Sequence, residues 1–139
     1  MRLGSRCTAA LLLAACLALA GCRSQPATAT AENTHARVES IAGSQVKRVI
    51  LSQQAVDRLG IRTVAVRANT VPYSAVIYDT SGTAWVYTVP QPLTFVRQKL
   101  EVATVGATDA MFSTGPAAGT VVVVTGAPEL LGAELGVGQ

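Results

Sequence analysis

The sequence is poor in the side chains that carry metal and acid–base chemistry. Of its 139 residues, one is histidine, two are methionine and three are cysteine. Soft-metal sites need clusters of Cys, Met or His, and covalent catalysis needs a nucleophile beside a base. We therefore expect no metal site, no cofactor and no enzyme activity. His35 is expected to be a solvated residue and Met111 to be a core residue.

Charge of one sign does not accumulate either. Eleven Lys and Arg accompany eight Asp and Glu, and the basic residues form no cluster of the kind that binds nucleic acid. The glycines Gly106, Gly115 and Gly119 punctuate predicted strands and do not open a helix, which argues against a phosphate-binding loop. No apolar run reaches the ~20 residues that a membrane-spanning helix needs.

An export signal is present at the N-terminus. Arg2 and Arg6 precede an apolar run over residues 9–20, whose length lies within the ~7–15 residues typical of a signal peptide. The run ends in the tetrapeptide Leu-Ala-Gly-Cys at residues 19–22, which resembles the lipobox of bacterial lipoproteins. The resemblance implies that residues 1–21 are a signal peptide and that Cys22 carries the lipid. The protein would then lie at the extracytoplasmic face of a membrane, anchored by that lipid.

Two other interpretations of this segment remain open. The apolar run could be a buried helix, or cleavage could follow the A-x-A pattern of residues 18–20 and release a soluble protein. The cysteines favour lipidation, because Cys7 and Cys16 lie inside the signal. An exported chain would therefore keep Cys22 alone, without a disulfide partner.

The remainder divides into a tether and a domain. Residues 22–45 are polar and lack apolar periodicity, so we predict a flexible tether there. We expect the domain at residues 46–135. Ser52 and Gly60 bracket a short helix as its N-cap and left-handed C′ residue.

Beyond residue 71 the pattern predicts strands only. Residues 79–83 read as a hairpin loop with Gly82 at a positive φ, and the four valines of residues 121–124 as a strand buried on both faces. About seven short strands at this spacing predict an all-β fold, a small β-barrel or sandwich with one short capping helix.

Two groups of side chains are candidates for partner docking. Residues 95–105 alternate with a period of two, which places Arg97, Lys99 and Glu101 on one face. Trp85 and Tyr87 share a face of the preceding strand. Without any function, the first group would be the solvated face of a half-buried strand, and the second group would be packed in the core. Their functional interpretation is a docking site formed by Arg97, Lys99, Trp85 and Tyr87.

Several segments resemble parts of bacterial efflux adaptors, the membrane-fusion proteins that serve RND pumps and related exporters. The resemblance lies in short motifs and their order: residues 49–51, 55, 59–61, 63–66, 71–76, 82, 85–87, 95–97, 102–106, 113–115, 118–122 and 126–127. Full-length adaptors carry a lipoyl-like domain and a helical hairpin between the stretches that end here at Val66 and begin at Val71. This chain joins them through residues 67–70 alone. The resemblance is thus to a truncated adaptor that keeps its membrane-proximal β domain.

The expected function combines the anchor with this resemblance. We expect a non-enzymatic lipoprotein that acts as an accessory or adaptor subunit of an RND- or ABC-type efflux permease in the inner membrane. A homo-oligomer is left open. The alternatives are a cell-surface lipoprotein that binds a small ligand or peptide, and a decayed adaptor remnant. A cavity with convergent polar groups would favour ligand binding, and poor packing around residues 67–70 would favour a remnant.

Overall fold

The computed structural model describes residues 35–137, so the predicted signal peptide and Cys22 lie outside the described residues. Nine strands and two α-helices are found in this range. In chain order they are β1 (Ala36–Ser40), β2 (Lys47–Leu51), α1 (Gln53–Leu59), β3 (Arg62–Ala65), β4 (Thr70–Pro72), β5 (Ile77–Tyr78), β6 (Ala84–Gln91), β7 (Thr94–Val105), β8 (Asp109–Thr114), β9 (Val121–Thr125) and α2 (Ala127–Leu135), with a 3₁₀ turn at Tyr73–Ala75 between β4 and β5.

All strand pairs are antiparallel, and β7 organises them. The main sheet has the order β1-β2-β7-β6-β9-β3, while β8 pairs with the second half of the twelve-residue β7 and with β4. A bridge between Arg67 and Thr70 brings the chain ends of β3 and β4 together. Six strands therefore follow one another in a ring, β4-β8-β7-β6-β9-β3. The predicted all-β class with a short helix is confirmed.

The alternation of side chains along the strands produces two cores. Val86 and Val122 join Val71, Leu100 and Phe112 inside the ring of strands. Their neighbours in sequence point to the opposite face and pack under the helices in a second core. That core contains Val49, Leu51, Ala55, Ile77, Tyr87, Phe95, Val123, Ala127 and Leu130. The strand β9 is thus buried on both faces at its centre, as its valine run predicts.

The first helix has the termini that its sequence predicts. The Ser52 side chain accepts a hydrogen bond from the Ala55 amide at 3.2 Å, and Gly60 adopts the left-handed conformation with φ of 62°. The amides of Gly60 and Ile61 donate to the carbonyls of Asp57 and Val56, which is the Schellman pattern. The hairpin loop at residues 79–83 is also confirmed, with a φ of 82° at Gly82.

Two elements differ from the sequence prediction. Strand β1 lies inside the predicted tether of residues 22–45, so the domain begins before residue 46. As an edge strand, β1 exposes most of its side chains and has no need of an apolar sequence. Helix α2 replaces the strands expected near residues 127–135. Its buried positions Ala127, Leu130 and Glu134 have helical spacing, but a charged residue occupies the third.

The junction at residues 67–70 is a closed turn. Arg67 and Thr70 exchange backbone hydrogen bonds of 3.0 and 3.4 Å, and Ala68 takes a φ of 51° within the turn. Val66 and Val71 on either side are both buried in the ring core. The two stretches that flank this junction therefore fold as one sheet system.

No helix within residues 35–137 has the length and apolarity to cross a bilayer.

Substitution of Gly126 and of Gly119 by alanine distinguishes the cost of backbone strain from the cost of steric crowding. Both adopt positive φ, of 88° and 86°. A Cβ at Gly126 would collide with Cδ1 of Ile61, whereas one at Gly119 would meet nothing within 4 Å. We expect Gly119→Ala to cost about 1 kcal/mol through the backbone alone. Gly126→Ala should cost about 2 kcal/mol, because the terminal methyl of Ile61 must also move away from the new Cβ.

Urea unfolding of the two variants measures this difference. Adding Ile61→Val to Gly126→Ala removes the colliding methyl and should restore part of the lost stability. Equal losses for the two glycine variants, or no recovery in the double variant, would contradict the steric account.

Candidate functional site

The four residues predicted to dock a partner lie together in the structure. Trp85 on β6 is the cross-strand partner of Lys99 on β7, and Tyr87 is the partner of Arg97. The two pairs are adjacent on one face of the sheet, because residues two apart on a strand share a face. Their surroundings nevertheless give the four side chains different roles.

Tyr87 and Arg97 hold a buried carboxylate. Glu134 of α2 has a side chain that is only 1% exposed. Its Oε2 accepts the Tyr87 hydroxyl at 2.6 Å, and its Oε1 accepts Nε of Arg97 at 3.0 Å and the Lys47 amide at 3.1 Å. A carboxylate removed from water is tolerated only with such partners. These contacts therefore fasten α2 to β2, β6 and β7.

This arrangement corrects two of the predicted docking roles. Tyr87 is fully buried, so its predicted contact with a partner is wrong. The Arg97 side chain is 12% exposed and committed to Glu134, so it does not belong to a solvated stripe. Lys99 and Glu101 on the same strand are exposed as expected. Arg97 differs from them because α2 covers its part of the face.

The pKa of Tyr87 reflects this site. Burial raises the pKa above its ordinary value of 10.0, and the hydrogen bond to Glu134 raises it further. The positive charge of Arg97 acts in the opposite direction. The hydroxyl therefore stays protonated and continues to donate to Glu134 across the neutral range.

Trp85 connects this buried site to the β5–β6 hairpin. The Arg97 guanidinium lies 4.5 Å from the centroid of the indole ring, which is a cation–π contact. On its other side the indole Nε1 donates to Oδ2 of Asp79 at 2.9 Å. Trp85 is thus half-buried and fixed on both sides, and only part of it is accessible to a partner.

Asp79 is the hydrogen-bond acceptor of the hairpin loop. Its Oδ1 accepts the amide and hydroxyl of Ser81 at 2.9 and 2.6 Å and the Thr83 amide at 3.0 Å. Hydrogen bonds from Ser81 and Trp85 lower the pKa of Asp79 to about 2. Loop, indole and guanidinium therefore form one connected polar chain that ends at Glu134.

Beside this chain lies an open apolar cleft of about 500 Å³. It runs between β5 and α2, and Ile77 in its wall is the cross-strand partner of Trp85. Leu135 is 60% exposed and Val137 is 71% exposed in its rim. The cleft is lined by Val76, Ile77, Tyr78, Pro128, Leu131, Gly132, Leu135 and Val137. Such a surface suits the burial of an apolar side chain from a partner.

The residues considered for metal chemistry are dispersed. Met111, expected in the core, is 52% exposed on β8, so that expectation is wrong. His35 is exposed, as expected for a solvated residue. In the described part of the chain, no three His, Cys, Asp or Glu side chains gather closely enough to hold a metal ion.

Sequence reasoning missed Glu134 and the cleft, and both depend on α2. Glu134 is 47 residues from Tyr87 and 37 from Arg97, and no local pattern links them. The signal in the sequence was the helical spacing of residues 127, 130 and 134. These positions form one buried face of a helix if a glutamate is accepted among the buried residues.

No protein family, curated protein or solved structure was found to match this chain.

The contribution of Glu134 can be measured by substitution. We expect Glu134→Ala to lower the free energy of unfolding by about 3 kcal/mol, because it leaves Arg97 and Tyr87 without their acceptor. Tyr87→Phe removes one donor to a charged group and should cost about 1–2 kcal/mol. The control is Glu129→Ala on the exposed side of the same helix, with a loss below about 1 kcal/mol. A loss for Glu134→Ala as small as the control would contradict the assigned role.

The lowered pKa of Asp79 predicts that the free energy of unfolding decreases in acid. Its folded-state pKa of about 2 lies below the ordinary value of 3.8, so its stabilising contribution is present above pH 3.8. That contribution is lost as pH falls from 3.8 towards 2. Unfolding curves between pH 2 and 5 should show the loss in the native chain and a smaller one in Asp79→Asn.

Titration by NMR supplies a second readout for Asp79. Ser81→Ala removes a hydroxyl donor and should move the pKa of Asp79 back towards 3.8. An unchanged pKa would show that the Ser81 hydroxyl is not the main cause of the lowered pKa of Asp79.

Proposed function

We propose that this chain is a lipid-anchored, non-enzymatic accessory subunit that docks on an RND- or ABC-type efflux permease. The observation that carries the proposal is the exposed apolar cleft between β5 and α2, whose wall residue Ile77 is the cross-strand partner of Trp85. The lipobox-like sequence ending in Cys22 supports the membrane anchor. The ordered resemblance to efflux adaptors supports a transporter as the partner.

The distribution of apolar residues favours protein docking over small-ligand binding. The ring of strands is filled by side chains such as Val86, Leu100 and Phe112. The cleft is on the surface, and among its lining side chains only that of Tyr78 carries a polar atom. Ligand sites usually add several convergent polar groups to fix orientation. A partner's apolar side chain needs none of these.

The junction at residues 67–70 argues against a decayed remnant. Removal of a large insertion from a working fold would leave unpaired backbone groups at the point of joining. Here the turn closes with two hydrogen bonds between Arg67 and Thr70. Within the described residues, no buried side-chain nitrogen or oxygen lacks a hydrogen-bond partner. A pocket of about 330 Å³ lies beside the turn, so the support for a self-sufficient domain comes from these hydrogen bonds.

Native membranes provide the direct test. The full chain, tagged at its C-terminus and cross-linked in its own host, should co-purify with a transporter permease that mass spectrometry identifies. A matching experiment with Cys22→Ala tests the anchor, since the unanchored chain should leave the membrane fraction. Repeated purification without any transporter component would overturn the proposed function.

Two substitutions test whether the cleft is the docking surface. Leu135→Lys and Val137→Lys place a charge on an apolar rim, and both positions are exposed enough to spare the fold. Burying a leucine side chain is worth ~1.5–3 kcal/mol, so each variant should reduce recovery of the permease about tenfold or more.

The matched control is Val105→Lys, which adds the same charge at an exposed valine of β7 outside the cleft. Recovery should stay at the native level, and all three variants should melt within a few degrees of the native chain. Normal recovery with the two cleft variants would mean that the permease binds elsewhere on the domain.

A further inference from the structure

Among residues 35–137, strand β1 has one edge without a partner strand. It is the first strand of the main sheet, and its only partner among the described residues is β2. The register between β1 and β2 runs without a shift over all five residue pairs. A short edge strand without a bulge or a proline can pair with another strand that matches its charged side chains.

The hydrogen-bond pattern shows which backbone groups are free. The Ser52 amide donates to the His35 carbonyl at 3.1 Å, so this pair is hydrogen-bonded in the ladder. Because antiparallel pairs alternate, Arg37 and Glu39 also direct their backbone groups to β2. The amide and carbonyl groups of Ala36, Val38 and Ser40 therefore point outward from the sheet.

The other side of β2 confirms this assignment. The Leu51 amide donates to the Leu93 carbonyl at 3.0 Å, on the side of β7. Val49, two residues earlier, faces β7 by the same alternation, and Arg48 and Ile50 face β1. The free edge of β1 thus has six outward backbone groups at three alternate residues.

The side chains of β1 are complementary to a second copy of themselves. The strand reads Ala-Arg-Val-Glu-Ser, with Arg37 and Glu39 placed symmetrically about Val38. In an antiparallel pair of two β1 strands centred on Val38, Arg37 of each copy lies opposite Glu39 of the other. Ala36 lies opposite Ser40. Each position with outward backbone groups then meets another such position, and both copies satisfy the same contacts, as a two-fold interface requires.

The existing charges are compatible with this pairing. Glu39 already accepts ion pairs from Arg37 at 2.9 Å and Arg48 at 3.5 Å. In the paired strands its carboxylate would lie between Arg48 of its own copy and Arg37 of the other. On the opposite face Val38 is exposed, and it lines a groove with Leu135 and Gly136 of the α2 end. Two Val38 side chains would cover each other there.

We propose that this protein forms a two-fold dimer by antiparallel pairing of β1 with β1 of a second copy, centred on Val38. The second copy is favoured because one strand supplies both the unpaired backbone and the matched charges. The other end of the main sheet is less suited, since the β3–β9 pairing shifts register between Arg62 and Thr63.

Cross-linking tests the pairing in the full chain. Val38→Cys places two thiols opposite each other in a hydrogen-bonded pair, where the Cα atoms lie ~5.5 Å apart and a short bifunctional thiol cross-linker can join them. Treated with that cross-linker in membranes, this variant should become a covalent dimer at least tenfold faster than Val105→Cys. Equal rates for the two variants would overturn the dimer.

Charge exchange tests the register. Arg37→Glu and Glu39→Arg each place like charges opposite each other when paired with themselves, and each should weaken association of two differently tagged copies about tenfold. Co-expression of Arg37→Glu with Glu39→Arg puts opposite charges at both positions and should restore association. Failure of this mixed pair to recover, with both chains folded, would show that β1 does not pair in this register.

A proline variant tests the backbone contribution. Val38→Pro removes an amide that points outward, so the domain should keep its melting temperature within a few degrees and sediment as a monomer in detergent. Arg37→Pro removes an amide directed at β2 and should instead unfold the edge. A Val38→Pro chain that remains dimeric would overturn the proposal.

The dimer and the proposed docking can fail separately. Sedimentation of the purified chain reports self-association without any transporter present. A monomeric native chain at concentrations of tens of micromolar overturns the dimer and leaves the docking proposal untouched. A dimer from membranes that yield no permease supports the strand pairing alone.

Discussion

The arrangement of this domain depends on the burial of one carboxylate. Glu134 lies on a short helix that follows the last strand, and its side chain reaches donors on three different strands, Tyr87, Arg97 and the Lys47 amide. An unpaired buried charge would cost several kcal/mol, so the three donors must be present together. That requirement fixes how α2 lies on the sheet. Apolar contacts of Ala127 and Leu130 then close the second core.

The same requirement determines which residues remain available to a partner. The guanidinium of Arg97 already contacts the Glu134 carboxylate and the Trp85 ring, so it is not free to bind a partner. Trp85 is in turn held by Asp79. The polar chain therefore serves as internal structure, and the accessible surface beside it is apolar. Docking at this face would depend on shape and apolar burial.

The sequence predicts the local features well and the long-range ones poorly. Helix α1 and the hairpin loop depend on residues close in sequence, and Ser52, Gly60 and Gly82 indicate both of them. Strand β1 was missed because an edge strand owes its structure to hydrogen bonds from β2, which its own composition does not reveal. Helix α2 was missed because its pattern is completed by a charged residue. Burial of Glu134 is tolerated only because Tyr87 and Arg97 donate to its carboxylate. These donors lie on β6 and β7, so the sequence of the helix alone does not predict that burial.

The end of α2 links the two proposed surfaces. Leu135 lines both the apolar cleft beside β5 and the groove along β1, and it directly follows Glu134. Whatever positions the Glu134 carboxylate therefore also positions the apolar side chain that the two surfaces share. A dimer formed through β1 would bring two copies of this helix end to a common two-fold axis. Strand β5, which lines the cleft, pairs with β6 and not with the edge strand β1. Strand pairing and docking can thus coexist on one domain, since the first uses backbone groups at the sheet edge and the second uses side chains on its face.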